Sequence, residues 1–591
     1  MPALVPEQDQ LRLIRAFEPV VQLNAGEYFA PVSVEGYVRH AALWHEQGGQ
    51  ATVAVPPDGF DLSTLPEVCG AAEGVGQSLS GIRLSEQDKG TARIPARERP
   101  PRTRGASRLA AVGLIGRLVD SINRLSLVFR GSVPGGSAAR SYLLQQAELG
   151  PDRPTYYGRV LRDGPWLVCQ YWYFYAFNNW RSGFGGVNEH EGDWEQVTVY
   201  LDGTGDWPAG PLPTPRWVVF SAHDEVGDDL RRRWDDPDLT LIGGQHPVVF
   251  AGAGSHSGAY LAGDYLITVE PPKLGGLVAV LRWLARVLTP WSSQQPGVAI
   301  PYVDYARGDG RVLGVGGEPW QPVVIDDATP WVRGYRGLWG LDTGDRLGGE
   351  RGPAGPRYER DGTVRASWAD PVGWAGLAKV GPSPAVEREY VQARIAQIDG
   401  RLAELEDAVS AARRDLGLAA AGLAPRAPEV RALAPRERHV TAMMLERTSL
   451  IDERRRLTGP AAASPDGEEP HAHLSHRNLP LAPATGLRSR LLSWWAVLST
   501  PLVLYAIGAV IHPAVGVTAT ATAAAWIVLL LGVEAIVRHR FLAYLWRVLL
   551  VTVVLAVVGS FWQEWRLLLS WAFVAAGLVV LVLSIREALR R

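Results

Sequence analysis

The chain has 591 residues, with 59 lysines and arginines against 61 aspartates and glutamates, a formal net charge of −2. This near balance argues against a protein built around nucleic-acid phosphates, so no nucleic-acid partner is expected. Hydrophobic residues make up 47% of the chain, which excludes wholesale disorder. Only two cysteines, Cys69 and Cys169, are present, which excludes a disulfide scaffold and a CxxC zinc site.

Composition divides the chain into four predicted parts: a body over 1–380, a helical hairpin over 384–458, a Pro/Ala/His-rich linker over 459–486 and an apolar tail over 487–591. The tail has nine arginines, three glutamates, and neither lysine nor aspartate, so it is basic while the rest is acidic. The predicted fold class is multidomain. It combines an all-β, β-sandwich-like body with helical insertions, an α-helical coiled-coil hairpin and a four-helix α transmembrane domain.

Short β-rich runs separated by Gly, Pro and Asp turns dominate the body. This spacing is typical of an all-β domain. The clearest predicted strands are 166–177, 194–201, 216–221 and 248–251.

Two predicted helical insertions interrupt the body, at 107–130 and 277–291. In the second, Arg282 and Arg286 lie one turn apart on an otherwise apolar helix, next to Trp283. Both insertions fit either core packing or a membrane interface with arginines toward lipid headgroups. Arg282, Trp283 and Arg286 are therefore candidate membrane-surface residues.

The densest polar cluster in the body is the run NEHEGDWE at 188–195, predicted as a turn between two strands. Alternate residues of a strand share a face, so Asp193 and Glu195 project together, and His190 can fold back to the same side. His190, Asp193 and Glu195 are candidate metal ligands, and their mostly oxygen donors favour Ca²⁺, Mg²⁺ or Mn²⁺ over Zn²⁺. The alternative is a hydrogen-bonded turn with the carboxylates in salt bridges.

Two further histidine-bearing turns follow strand-like runs, at His223 and His256. Loops at one end of a β-sandwich cluster even when they are distant in sequence, so these turns and the 188–195 run are expected to meet at one rim. If the protein is an enzyme, a bound cation would activate water and His223 or His256 would shuttle protons.

The body resembles the vacuolar protein sorting-associated protein 62 family over most of 11–376. The similar stretches are RAFEPVVQLNAGEYFAPVSVEGYV (15–38), PTYYGRV (154–160), LVCQYWYFYAFNN (167–179), HEGDWE (190–195), VVFSAHDE (218–225), GAGSHSGAY (252–260) and the segment 352–374. The name of that family refers to a cellular association, and the resemblance implies no particular reaction.

The motif HEGDWE is also similar to the H-x-x-D-W-E core of the necrosis-inducing protein family. Those are secreted β-sandwich proteins that bind a divalent cation and plant sphingolipid headgroups. The resemblance again implies His190, Asp193 and Glu195 as metal ligands, with Gly192 standing where that family has a second histidine. The N-terminus lacks the apolar region of a signal peptide, so a secreted toxin role is not implied.

A heptad pattern follows the body, with apolar residues at alternating spacings of four and three: Val391, Ile395, Ile398, Leu402, Leu405, Val409, Ala412 and Leu416. Such a seam predicts a coiled-coil-like helix. A second, arginine-rich helix ends near Leu457, and we interpret the pair as an antiparallel hairpin. The competing interpretation is self-association through 391–416.

The linker that follows contains three histidines, His471, His473 and His476. These side chains could bind a metal ion. A solvated linker is the favoured interpretation, because nothing in the sequence holds the imidazoles in a fixed geometry.

The tail has two apolar stretches between 491 and 533, separated by His512-Pro513, and further ones over 541–562 and 567–585. A spanning helix needs about 20 apolar residues, so four spanning helices are predicted. The flanking arginines fall on one side of the membrane, which by the positive-inside rule puts both termini in the cytoplasm. The expected location is an integral membrane protein, in the plasma membrane.

Two classes of function follow. The favoured one is a membrane-anchored, cytoplasm-facing β-sandwich module that recognises lipid headgroups or a membrane-associated partner, with a divalent cation as the candidate cofactor. The alternative is a metal-dependent hydrolase that acts on a phosphoester or lipid-like substrate at His190, Asp193 and Glu195. A pore or transporter is disfavoured because the tail offers almost no polar residues to line a pathway. The sequence leaves open whether the protein is an enzyme.

Overall fold

A computed structural model describes most of the chain. The described residues are 6–47, 50–70, 76–81, 110, 113, 117, 137–145, 153–180, 189–221, 230–269, 300–340, 354–422, 429, 432–459, 471, 479–481, 487–511, 517–563, 571, 573–579 and 581.

The largest sheet has six strands in the order β16-β5-β6-β7-β8-β9. β16 pairs with β5 in parallel and the other pairs are antiparallel. The strand bounds are β5 Thr155–Asp163, β6 Trp166–Asn178, β7 His190–Asp202, β8 Pro215–Phe220, β9 Arg231–Arg233 and β16 Gln321–Val324. Strands β6 and β7 are rich in aromatic and β-branched residues, and nearly every residue along them is buried.

Three smaller sheets accompany it. One contains β10, β11, β12, β1 and β15, in which β1 and β11 are parallel. The others are the hairpin β13-β14 and the sheet β3-β2-β4. Their bounds are β1 Val20–Gln22, β2 Ala42–Gln47, β3 Gln50–Val55, β4 Gln77–Ser80, β10 Leu241–Ile242, β11 His246–Ala251, β12 Gly258–Ala259, β13 Gly263–Val269, β14 Ile300–Ala306 and β15 Val312–Leu313.

Helices lie before, between and after the sheets. In the body they are α1 Glu7–Ala16, α2 Val34–His40, α3 Leu65–Val68, α4 Ser137–Leu144, α5 Pro330–Gly334, α6 Ala366–Ala369 and α7 Pro371–Trp374. After the body come α8 Pro384–Ala420, α9 Ala434–Thr458, α10 Leu487–Ile511, α11 Val517–Val537 and α12 Phe541–Gln563.

Both faces of the six-stranded sheet are buried. On one face, Trp166, Tyr200 and Trp217 pack against Val372 and the apolar residues that follow α7. On the other, Tyr171 donates its hydroxyl proton to the carbonyl oxygen of Ile14 in α1 at 2.9 Å. The sheet is therefore packed on both of its faces.

The predicted all-β, sandwich-like class is wrong. The described part of the chain mixes helices and sheets, and its sheets are open rather than two faces of a clear sandwich. The physical reason is that helical segments such as α1 and α7 help to cover the six-stranded sheet. Strand periodicity identifies a half-buried strand, but not what lies on its apolar face.

The helices α8 and α9 lie antiparallel, as the ion pairs Arg394–Glu453 and Arg401–Glu446 show. Helix α8 begins with Ser383, whose hydroxyl accepts from the backbone N–H of Val386, and with Pro384 in the first turn. Leu405, Val409, Val440 and Met443 form the buried seam between the two helices. Self-association through 391–416 stays a prediction.

The predicted transmembrane domain is also wrong. Among the described helices, none combines the length and the apolarity needed to cross a bilayer. The described helices contain groups that suit a bilayer poorly: Pro501 inside α10, Arg547 in α12 and, in α11, Glu534, which is fully buried against Arg117. The integral membrane, plasma-membrane location with cytoplasmic termini loses its basis. About half of the fourth predicted span, 567–585, lies outside the described residues.

Candidate functional site

The motif HEGDWE lies on a strand and not in a turn, because β7 already begins at His190. The motif pairs with the end of β6, with Asp193 opposite Tyr175 and Glu195 opposite Tyr173. Trp194 points to the other face, where it packs against Phe174 and Trp339. Asp193 and Glu195 therefore share one face of the sheet, and both are buried.

Asp193 is joined directly to His256, which comes from the turn after β11. His256 Nδ1 lies 2.8 Å from Asp193 Oδ2. A carboxylate can only accept in this contact, so Nδ1 carries a proton. The hydrogen bond therefore sets both the tautomer and the orientation of the imidazole.

His256 is held in an unusual conformation. Its φ is +60°, in the left-handed region that L-residues rarely adopt. Its ring lies parallel to that of Tyr175, with centroids 3.8 Å apart. Burial raises the pKa of Tyr175 well above its usual value, and the carboxylates of Glu195, Asp193 and Glu27 raise that pKa further, so the phenol stays protonated.

A third segment brings Glu27, which follows β1, to the same place. Its Oε1 lies 4.0 Å from His256 Nε2, and its side chain is only 2% exposed. The backbone N–H of Gly254 donates to Glu27 Oε2 at 2.9 Å. We refer to Glu27, Tyr175, Asp193 and His256 as the His256 cluster.

His256 Nε2 is buried and has no hydrogen-bond partner among the described residues. A separation of 4.0 Å from Glu27 is too long for a hydrogen bond. His256 Nε2 and Glu27 Oε1 therefore face each other across a gap of 4.0 Å.

Further carboxylates flank the cluster. Asp304 in β14 accepts from the hydroxyls of Ser255 and Ser257, on either side of His256. Glu195 accepts from the hydroxyl of Ser221 at the end of β8. These bonds tie β7, β8, β14 and the turn after β11 together.

The predicted metal triad of His190, Asp193 and Glu195 is not gathered. Within the described ranges, the one group of three His, Cys, Asp or Glu residues whose ligand atoms all lie within 4.8 Å of one another is Asp236, Asp238 and His471. His190 Nδ1 instead contacts the carbonyl oxygen of Gly192 at 2.7 Å. The metal binding and lipid binding predicted from the sequence therefore find no support in the arrangement of His190, Asp193 and Glu195.

Glu191, in the middle of the motif, belongs to a different environment. Gly192 has a φ of +67°, and Glu191 Oε1 accepts from the backbone N–H of Gly81 at 2.7 Å. The side chain lines a small cavity of about 30 Å³ together with Tyr37 and Gln145. This volume has room for roughly one water molecule.

Several predicted site residues lie outside the described residues: His223 and the membrane-surface candidates Arg282, Trp283 and Arg286. Two functional candidates, Glu27 and Asp304, were missed by the sequence argument. Glu27 does fall within the N-terminal stretch that resembles the vacuolar sorting family, but no local pattern marks its carboxylate. Only tertiary packing brings it to His256.

No family model matches the chain, so the resemblance to the vacuolar sorting family has no support from that source. No curated protein matches it either. A crystal structure of the non-toxic HaNLP3 protein is weakly similar, at 13% identity and a TM-score of 0.17. The match covers 42% of this chain and 64% of that one, less than two thirds of its length. At this TM-score the likeness carries no argument about fold or function.

Proposed function

We propose that this protein is a non-enzymatic binding module and that its cofactor is a divalent cation held in the His256 cluster. The observation that carries the proposal is the 4.0 Å gap between His256 Nε2 and Glu27 Oε1. Bonds from a divalent transition metal to imidazole nitrogen or carboxylate oxygen are about 2.0–2.2 Å long, so an ion between the two atoms fits this separation.

The second support is the role of Asp193. A histidine that binds a metal almost always donates its other ring N–H to a carboxylate or carbonyl group, which fixes the tautomer and raises the basicity of the ligand. The 2.8 Å contact between Asp193 Oδ2 and His256 Nδ1 is of this kind. Asp193 then orients the ligand instead of being one, which differs from the role that the sequence suggested.

The third support is electrostatic. Glu27, Asp193, Glu195 and Asp304 all have buried side chains. Glu27 and Asp193 face His256, and Asp304 accepts from the hydroxyls of the two serines that flank it. Buried carboxylates are costly unless they are hydrogen-bonded and balanced by positive charge, and a cation would supply that charge. Since these residues come from separate segments, the ion would also hold those segments together beside β6 and β7.

Burial favours binding over catalysis. Among the described residues, the side chains of Glu27, Asp193 and His256 are at most 6% exposed. A site this enclosed suits an ion better than a phosphoester or lipid-like substrate.

The test is equilibrium binding of Mn²⁺ to the full-length protein after removal of bound metal with a chelator. Loss of a residue that only hydrogen-bonds to a metal ligand lowers metal affinity by about 10–100-fold. We expect His256→Gln and Glu27→Gln, which remove direct ligands, to lower the affinity for Mn²⁺ by at least that much. Asp193→Asn should lower it by about 10–100-fold.

The matched control is His246→Gln, since His246 is a half-buried histidine that contacts the carbonyl oxygen of Glu18 at 2.9 Å, outside the cluster. Its affinity for Mn²⁺ should equal that of the wild type. Thermal unfolding without metal establishes that each variant is folded. A folded His256→Gln protein that binds Mn²⁺ as well as the wild type would overturn the proposal.

One observation favours a hydrolase as second candidate. Asp193 accepts a hydrogen bond from Nδ1 of His256, and an aspartate in this position can orient a histidine that acts as a general base. The assay is hydrolysis of bis(p-nitrophenyl) phosphate by the full-length protein with Mn²⁺. The binding-module proposal predicts no turnover above that of His256→Gln, and turnover that His256→Gln abolishes would favour the enzyme.

A further inference from the structure

We infer that Asp236, Asp238 and His471 form a second divalent-cation site, which fastens the linker after the helical hairpin to the body. This site shares no residue with the His256 cluster and does not depend on the function proposed for it. The sequence favours a solvated linker at His471, but the structure places this imidazole against two carboxylates that lie more than 230 positions earlier in the chain.

The geometry is that of three converging donors. His471 Nε2 lies 2.9 Å from Asp236 Oδ1 and 3.3 Å from Asp238 Oδ2. All three ligand atoms lie within 4.8 Å of one another. One imidazole nitrogen with two carboxylate oxygens is a donor set that can hold a divalent cation, and Zn²⁺ serves as the probe ion.

A tight turn after β9 presents the two carboxylates. The backbone N–H of Asp238 donates to Asp236 Oδ1 at 2.8 Å, and the N–H of Leu239 donates to the carbonyl oxygen of Asp236 at 3.0 Å. These bonds fix the spacing of the two carboxylates before any ligand arrives. Preorganisation of this kind lowers the ordering cost of binding an ion.

An independent observation points to a ligand. Asp236 is fully buried in its side chain, and its Oδ2 has no hydrogen-bond partner among the described residues. Its charge partner is Arg232, whose Nε lies 3.9 Å from Oδ2 in a fully buried ion pair and whose guanidinium also lies over the ring of Tyr260. A buried carboxylate oxygen left in this state costs free energy that coordination to a cation would recover.

The linker also contacts the body at a second place. The backbone N–H of Leu481 donates to the carbonyl oxygen of Asp264 at 2.7 Å, and Pro480 lies against Gly263. A cation bound by His471 would therefore attach the linker to the body at a second point, ten residues before Leu481. Because the bound metal exists only in the folded arrangement, its binding free energy also stabilises that arrangement.

The experiment measures Zn²⁺ binding to the full-length, chelator-treated protein by isothermal titration calorimetry, together with the unfolding temperature at increasing Zn²⁺. We expect His471→Gln and Asp238→Asn each to weaken Zn²⁺ binding by about 10–100-fold or more. This is the loss seen when a residue that only hydrogen-bonds to a metal ligand is removed, and removal of the ligand itself should cost at least as much. Zinc should raise the unfolding temperature of the wild type and raise it less in these variants.

His439→Gln is the matched control, because His439 is an exposed histidine on α9 with no place in the cluster. His256→Gln separates the two sites: it should keep the Zn²⁺ binding that His471→Gln loses. The inference is overturned if folded His471→Gln binds Zn²⁺ like the wild type, which would leave only a histidine–carboxylate ion pair. Loss of all Zn²⁺ binding in His256→Gln alone would overturn it as well.

Discussion

The rings of Tyr175 and His256 lie face to face, with an interplanar angle of 3° and centroids 3.8 Å apart. Tyr175 is at the end of β6 and His256 in the turn after β11, so this stack fixes one wall of the His256 cluster. Tyr175→Ala should lower the free energy of unfolding by about 3–5 kcal/mol, the range for removing a large buried aromatic side chain. Urea unfolding of the full-length protein measures this change.

Tyr175→Phe is the control for that prediction. It keeps the ring and removes only the hydroxyl, so we expect a loss below about 1.5 kcal/mol. Equal losses in the two variants would show that the phenol oxygen, and not the stack, stabilises this wall.

Gly252 is a sensitive position beside the cluster. A Cβ added there would meet Ser255 Oγ and the carboxylate of Asp304. Gly252→Ala should cost about 1–3 kcal/mol of stability, the usual result of overpacking. Gly205→Ala is the matched control, because no atom lies within 4 Å of its added Cβ, and its effect should stay within about 0.5 kcal/mol. Thermal unfolding of both variants checks this, and a neutral Gly252→Ala would contradict the tight packing around Asp304.

Glu18 should make stability depend on pH. Burial raises its pKa above 4.5, although the hydrogen bond from Tyr156 opposes the rise. The folded state then holds its proton more strongly than the unfolded state, so stability falls as the pH rises from about 4.5 through the folded pKa. Glu18→Gln keeps an acceptor for Tyr156 and removes the titration. The stability of Glu18→Gln relative to the wild type should therefore increase between pH 4 and pH 7.

Glu318 supplies a control of opposite sign. Its hydrogen bond with Arg311 holds its pKa below 4.5, so its contribution is present above that pH and is lost on acidification. Glu318→Gln should thus lose stability relative to the wild type as the pH rises, by a small amount because the pair is exposed. Chemical unfolding at several pH values measures both trends, and the same sign in both variants would refute the assignment.

The helical hairpin depends on a short apolar seam. Leu405 is 1% exposed and packs with Val440 and Met443, so Leu405→Ala should cost about 2–5 kcal/mol. Leu418→Ala lies on the same helix at 77% exposure and should change stability by less than about 0.5 kcal/mol. Thermal unfolding followed by far-UV circular dichroism compares them. Similar melting curves would mean that the seam does not hold α8 and α9 together.

A buried ion pair joins the body insertion to the C-terminal helices. Arg117 contacts Glu534, and its Nη2 lies 3.1 Å from Ser499 Oγ. Removing one partner leaves a buried charge, so Glu534→Ala should cost about 3–5 kcal/mol. The double variant Arg117→Met, Glu534→Leu should recover part of that loss, as measured by chemical unfolding, because Arg538 Nε, 2.9 Å from Glu534 Oε1, still loses its partner. If the double variant is less stable than Glu534→Ala, the pair is not the source of the effect.

Local patterns in the sequence identify several elements correctly. Strands are present at all four positions predicted for them, and β6, at Trp166–Asn178, ends within one residue of the prediction. A dense run of aromatic and β-branched residues suits a pleated, buried surface, whatever lies on it. In β7 the prediction begins four residues late, since a polar run with a glycine resembles a turn when its burial is unknown.

The candidate site shows the opposite case. His256 and Glu27 are 229 positions apart, and nothing near either residue specifies the other. Their meeting depends on the parallel pairing of β1 with β11, a non-local contact that no periodicity encodes. His471 and Asp236 are likewise 235 positions apart, and no local pattern predicts their contact.

The sequence alone thus determined four of the strands and the two helices of the hairpin, because alternation and heptad spacing act over a few residues. Only the tertiary structure decided that the sheets are open, that helices share in covering them, and that Asp193 orients His256 instead of joining His190 and Glu195. Such choices follow from strand order and from burial, which couple residues far apart in the chain.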